Sequence, residues 1–211
     1  MRAVGMVVEF NPFHNGHRYY VRQAKAQTEA DVAVAVMSGN FTQRGEPTIL
    51  DKWARTRAAL ANGVDLVVEL PVFYACQPAH RFAAGALRLL NELGVSAVAF
   101  GAEHPQWDFA QLVRATADLD QATLKRYTAT YATQFNDQLA QRTGVSLQAP
   151  NDILAFAYTK AARAHNYQFD LQPIQRVASD YHDQVIKGAI ASASAIRQAV
   201  QDGEDYRQAV P

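Results

Sequence analysis

Asn11-Pro12-Phe13-His14-Asn15-Gly16-His17 stands between an apolar run at residues 3–10 (AVGMVVEF) and a helical pattern over 17–27. The run is short and Val-rich, as a buried strand is, and Asn-Pro is a turn dipeptide. Strand, tight loop and helix in that order make the first unit of a parallel α/β sheet. In such sheets ligands bind beyond the carboxyl ends of the strands, where free N–H groups and the helix dipole favour phosphate. His14 and His17 are three residues apart across this junction and can face the same side. Gly16 between them lets a nucleotide approach the backbone. Two imidazole donors there can hold triphosphate oxygens and stabilise charge developing on the α-phosphorus. As loop residues, both are expected to be replaceable at little cost in stability.

Outward from this junction the alternation repeats. Strand patterns follow at 32–37 (VAVAVM), 64–70 and 95–100, and helical patterns at 52–62 and 78–93. Asp51 is placed to cap the second helix, Gly63 and Gly94 to stop helices, and Pro71 to end a strand. Nearly continuous apolar strands joined by crossover helices predict an α/β fold: a Rossmann-like parallel sheet with helices on both faces, over residues 1–105. Beyond Pro105 the pattern turns helical over 108–142 and again over 151–166, so 106–166 reads as a helical insertion. A strand at 169–177 and a helix at 192–201 then read as a return to the core over 167–211.

With 211 residues, 49% of them hydrophobic, the chain is long enough for one globular domain with an appended subdomain. Its 20 Lys and Arg balance 20 Asp and Glu. A free-standing RNA binder usually carries a basic surplus, so an RNA partner must meet a local basic patch or a further domain. Cys76 is the one cysteine, which excludes an intramolecular disulfide and a thiolate zinc cluster and suits a reducing cytoplasm. It is expected to be a buried small residue. No apolar run reaches the length of a membrane span, so the reading is a soluble cytoplasmic protein. No HExxH or Cys/His cluster offers a third and fourth zinc ligand, and no metal centre is expected. His80 and His104 read as structural or exposed.

A second phosphate signal lies at Ala191-Ser192-Ala193-Ser194-Ala195-Ile196-Arg197. Ser192 or Ser194 would cap a helix whose early turn presents Arg197, a clamp for the β and γ phosphates opposite the histidines. Taken alone, this is an ordinary capped helix with a surface arginine.

Together the two signals resemble the HxGH nucleotidyltransferase superfamily. The blocks VGMVVEFNPFHNGH (4–17), VMSGNFTQRGEP (36–47), KWARTRAALANGVDLVVELP (52–71), FGAEH (100–104), PNDIL (150–154) and ASASAIR (191–197) resemble one branch more closely, the bacterial tRNA(Met) cytidine acetate ligase family. The resemblance implies a nucleotidyltransferase-type sheet and two steps. ATP and acetate give acetyl-adenylate, and the acetyl group then passes to the wobble cytidine of elongator tRNA(Met). ATP with Mg2+ is the implied cofactor. His14, His17 and Arg197 take the catalytic roles, and Ser194 joins the phosphate contacts. ATP is implied to lie along Val7-Val8-Glu9-Phe10, the Asn11-to-His17 stretch and Arg18-Tyr19-Tyr20. Gly101, in the turn after the fourth strand, falls against the adenosine; Asn151 and Arg176 match further ATP contacts, the latter shortly before Tyr181-His182-Asp183.

Arg44 or Lys52 is a candidate for drawing in the acetate carboxylate or the tRNA backbone, with Arg55 and Arg57 beside them; a solvated loop and helix face is the equal alternative. Members of the family continue into a further domain, where tRNA is expected to bind. The same HxGH chemistry also serves cofactor-forming adenylyltransferases of the coenzyme A or NAD pathway type. A nucleotide-binding remnant without catalysis is the reading from a different class.

Overall fold

The computed structural model describes residues 1–119, 130–176, 186 and 188–211. Its first half runs β1 (Ala3–Val8), α1 (Asn15–Thr28), β2 (Val32–Ser38), α2 (Lys52–Ala61), β3 (Leu66–Leu70), the short α3 (Val72–Ala75), α4 (Ala79–Glu92) and β4 (Ala97–Ala102). After it come α5 (Phe109–Ala115), α6 (Tyr131–Thr143), α7 (Pro150–Ala164), β5 (Asp170–Gln175) and α8 (Ala193–Asp202). The five strands form one sheet in the order β3-β2-β1-β4-β5, and each pairing is parallel. The predicted Rossmann-like architecture is therefore what the chain forms.

Alternation along the strands sorts side chains between two apolar layers. Val4, Met6, Ala33, Ala35, Met37, Ala97 and Ala99 face α1 and α2, packing on Val21, Ala24 and Ala59. Val34, Val36, Val98, Phe100 and Ala102 face the other way, onto Phe82, Ala86 and Leu90 of α4 and Ala155, Tyr158 and Ala162 of α7. Gly5 in β1 is fitted to this contact, because a Cβ there would stand 2.7 Å from the Leu90 side chain. Pro173, which cannot donate to a ladder, sits in β5 at the sheet edge.

Several boundaries differ from expectation for local reasons. The first helix begins at Asn15, not His17, because His14 acts as its N-cap. The third strand begins at Leu66, since the Asp65 carboxylate turns back to accept from Ala33 N–H and Lys25 Nζ. The helix expected over 108–142 breaks after Ala115, and α6 starts afresh with Thr130 as its cap; residues 120–129 lie outside the described residues. Val177, expected to end the last strand, lies outside them as well, with Tyr181, His182 and Asp183. Cys76 is exposed rather than buried, because it follows the four-residue α3 on the surface. No helix among the described residues is long and apolar enough to cross a membrane.

Candidate active site

The site begins where β1 leaves the sheet. Phe10 takes the left-handed conformation, φ 49°, and turns the chain into the histidine loop; for a bulky residue this costs of order 1–3 kcal/mol and recurs at functional sites. Phe10 and Phe13, both buried, form the floor under His17, with the Phe10 and His17 ring centres 4.9 Å apart. The His14 and His17 rings stack at 3.7 Å. Gly16 N–H donates to His14 Nδ1 at 3.0 Å. That bond fixes the tautomer: Nδ1 is an acceptor, so the ring proton sits on Nε2. Gly16 is needed for this cap, since a Cβ would lie 2.8 Å from His14 Cε1.

Burial, and then the Arg176 charge, pull the His14 pKa from its ordinary 6.5 down to about 4. His17 is also held well below the ordinary value, by burial, by His14 and by Arg176, with the Pro12 carbonyl opposing. Both rings are thus neutral at pH 7 and offer N–H donors rather than fixed charges. The expectation that they could be removed at little structural cost is overturned for His14, which is 8% exposed and caps α1.

The far wall comes from the other end of the chain. Ser192, not Ser194, caps α8, accepting from Ala195 N–H at 3.0 Å, and the two serine hydroxyls are 2.9 Å apart. Arg197 Nη1 donates to the Asn11 carbonyl at 2.9 Å. Asn15 Nδ2 donates to the Ala189 and Gln208 carbonyls at 2.8 and 3.0 Å, tying the start of α1 to the same segment. The serine helix and the histidine loop thereby become two sides of one cleft of about 590 Å³.

Val7, Val8, Glu9, Phe10, Asn11, His14, Gly16, His17, Tyr19 and Tyr20 line this cleft, as do Gly101, Asn151, Arg176, Ser194 and Arg197. Pro12 and Phe13 lie buried beneath the loop, and Arg18 lines a separate hollow with Arg22, Lys25 and Gly63. Gly101 belongs to β4 itself, paired with Ile174, and not to the turn after it. A Cβ on it would come within 3.4 Å of the Arg176 side chain, which rests over the strand end.

Arg44 lines the cleft, whereas Lys52 Nζ pairs with Glu69 at 2.6 Å and lies outside it. Arg55 is fully buried, so the cationic helix face expected beside Lys52 loses it. Its guanidinium donates to the carbonyls of Glu9, Ser38, Gly39 and Leu50, closing the loops after β1 and β2 over the sheet. Among the described residues no three His, Cys, Asp or Glu side chains cluster as a metal centre requires.

Sequence reasoning missed the group that supports Asn151. Asn151 Nδ2 donates to Glu103 Oε1 at 2.6 Å and Asp152 N–H to Glu103 Oε2 at 3.1 Å. In return the buried Asp152 carboxylate accepts from the N–H groups of Glu103 and His104 and meets His104 Nδ1 at 2.6 Å. Glu103 and Asp152 lie 49 residues apart, and no local pattern joins them. Thr42, Gln43, Phe82, Phe100 and Tyr158 also line the cleft without having been singled out. Their signal in the sequence was that of ordinary core and loop residues.

The HIGH nucleotidyl transferase family model matches residues 1–211. The chain is 69% identical over 211 residues to the tRNA(Met) cytidine acetate ligase of Limosilactobacillus reuteri (strain DSM 20016), covering 100% of the chain and 56% of that protein. It is 65% identical to the Limosilactobacillus fermentum enzyme of the same name, with the same coverage. The chain thus spans about half the length of the curated relatives it matches. Among solved structures, Thermotoga maritima TmcAL without ligand has a TM-score of 0.92 at 33% identity, covering 100% of this chain and 54% of that one. The same protein bound with alpha-thio ATP has a TM-score of 0.87, covering 100% and 53%.

Proposed function

Because the chain belongs to the HIGH nucleotidyl transferase family, we propose that its cleft binds ATP and carries out the adenylation step of a tRNA(Met) cytidine acetate ligase. An acetate oxygen attacks the α-phosphorus, the bond to the β-phosphate oxygen breaks, and pyrophosphate leaves with acetyl-adenylate formed. The exocyclic amine of the wobble cytidine of elongator tRNA(Met) then attacks the acetyl carbonyl, AMP departs, and the amine loses a proton. His14 and His17 donate to the phosphate oxygens, and Ser194, Arg197 and the N-terminus of α8 hold the leaving pyrophosphate. Gly101, Asn151 and Arg176 hold the adenosine at the β4–β5 end. Arg44, at the cleft, attracts the acetate carboxylate or tRNA; Lys52, paired with Glu69, is the weaker candidate. Mg2+ accompanying the nucleotide would neutralise charge on the triphosphate and would take its ligands from phosphate oxygens and water, as it prefers, rather than from a cluster of protein side chains.

The observation that carries this reading is the convergence of the stacked histidines and the Ser192-capped helix, from opposite ends of the chain, on one cleft. The T. maritima relative bound with alpha-thio ATP supports it. The test is acetate-dependent exchange of labelled pyrophosphate into ATP. His14→Ala and His17→Ala are each expected to lower the exchange rate about 100-fold to 1,000-fold, the usual effect of losing one preorganised donor. Thermal unfolding measured beside it separates loss of chemistry from loss of the α1 cap. Equal exchange by the wild type and both variants would remove the histidines from the mechanism.

A further inference from the structure

Asn151 and Glu103 form a pair whose hydrogen bonding allows one arrangement only. An ionised carboxylate accepts and does not donate, so the atom of Asn151 that faces Glu103 Oε1 at 2.6 Å must be its NH2 group. The second carboxylate oxygen is engaged by Asp152 N–H, a backbone donor that cannot turn away. Glu103 is held in its turn, because its own N–H and that of His104 are bound to the buried Asp152 carboxylate. Asn151 Oδ1 accepts from no group among the described residues, and Asn151 lines the cleft. The side chain therefore offers the cleft a hydrogen-bond acceptor.

The phosphate end of the cleft is defined by His14, His17 and the start of α8, with Arg176 near enough for its charge to act on both histidines, so the base of a nucleotide lies beyond them, on the side of the cleft that Asn151 lines. An acceptor there suits the exocyclic 6-amino group of adenine and opposes the 6-oxo group of hypoxanthine or guanine. We propose that Glu103 is a positioning residue that locks the Asn151 amide with its oxygen toward the cleft and so makes the site select 6-aminopurine over 6-oxopurine nucleotides. This rests on the cleft being the nucleotide site.

Glu103→Gln provides a test with nearly the same shape. Glutamine has one oxygen, and the fixed Asp152 N–H claims it. The glutamine NH2 then faces Asn151, which satisfies it by turning its amide around. That turn presents the Asn151 NH2 group to the cleft, the donor a 6-oxo group needs.

The experiment measures equilibrium binding of ATP and ITP to the wild-type chain, Glu103→Gln and Glu103→Ala, with circular dichroism to verify folding. The wild type is expected to bind ATP roughly 10-fold to 100-fold more tightly than ITP, the cost of opposing two acceptors in a desolvated site. Glu103→Gln should lose or invert that ratio, and Glu103→Ala, which leaves the amide free to turn, should bring it near unity. Either variant suffices if the other fails to fold. Equal weakening of ATP and ITP with the ratio preserved would mean that Glu103 only holds the fold, and would overturn the proposal. Equal binding of ATP and ITP by the wild type would overturn it while leaving the nucleotide site intact. Failure of the wild type to bind ATP would remove the nucleotide site and this inference with it.

Discussion

The two nitrogens of His14 have different tasks: Nδ1 accepts from Gly16 N–H to start a helix, and Nε2 carries the proton that a phosphate oxygen can use. A pH dependence follows. Above pH 6.5 the ring is neutral both in the folded chain and in the unfolded one. As the pH falls below 6.5 the unfolded chain takes up a proton, but the folded ring, with its pKa at about 4, does not. Stability is therefore full above 6.5 and is lost progressively toward pH 4, by up to about 3 kcal/mol from this ring. His17, also lowered, adds to the loss in the same direction. Urea denaturation at pH 7, 5.5 and 4.5 measures it. His14→Asn, which retains a capping side chain, should show a shallower slope over that window; an unchanged slope would mean that folding does not lower the His14 pKa. Bound triphosphate acts the other way, since its negative oxygens favour the protonated rings.

Between elements, the contacts that set the site are polar and long-range. Asp152, at the start of α7, holds the end of β4 by accepting two backbone N–H groups and meeting His104. Asp152→Ala would leave those buried donors without an acceptor and should cost about 2–4 kcal/mol in a urea titration, by the usual penalty for unmet buried groups; a change below about 0.5 kcal/mol would mean that water replaces the carboxylate. The sheet itself could be read in advance because its strands are short apolar runs bounded by Gly and Pro, and each such run is a local signal. The HxGH loop could be read for the same reason: strand, turn and helix are consecutive. What escaped is what pairs across the fold. Arg55 sits on an otherwise ordinary amphipathic helix, and only the tertiary structure turns it inward onto four carbonyls. Gly101 was placed one step too late because the strand continues through it to Ala102. Glu103 stood in the FGAEH block without a role of its own, because its partners on α7 lie 48 and 49 residues away.

For the molecule as a whole, charge balance and the inward turn of Arg55 both bear on RNA. With 20 basic and 20 acidic residues, Arg55 buried and Lys52 bound to Glu69, the region 44–57 offers less positive surface than its composition suggests. The 211-residue chain is expected to bind tRNA no better than the non-specific range, roughly 1–100 μM at physiological salt; a filter-binding Kd in the nanomolar range would show that these residues carry a tRNA site of their own. The contacts from Arg197 to Asn11 and from Asn15 to Ala189 and Gln208 span 186, 174 and 193 residues. A protein is made and begins to fold from its N-terminus, so the five strands, which end at Gln175, can emerge from the ribosome before the segment that closes the phosphate end. A chain interrupted between Arg176 and Ala189 would keep its sheet and both histidines and still have no second wall for the nucleotide. If the cleft is the nucleotide site, capture waits until the segment from Ala189 to Gln208 has followed all five strands out of the ribosome.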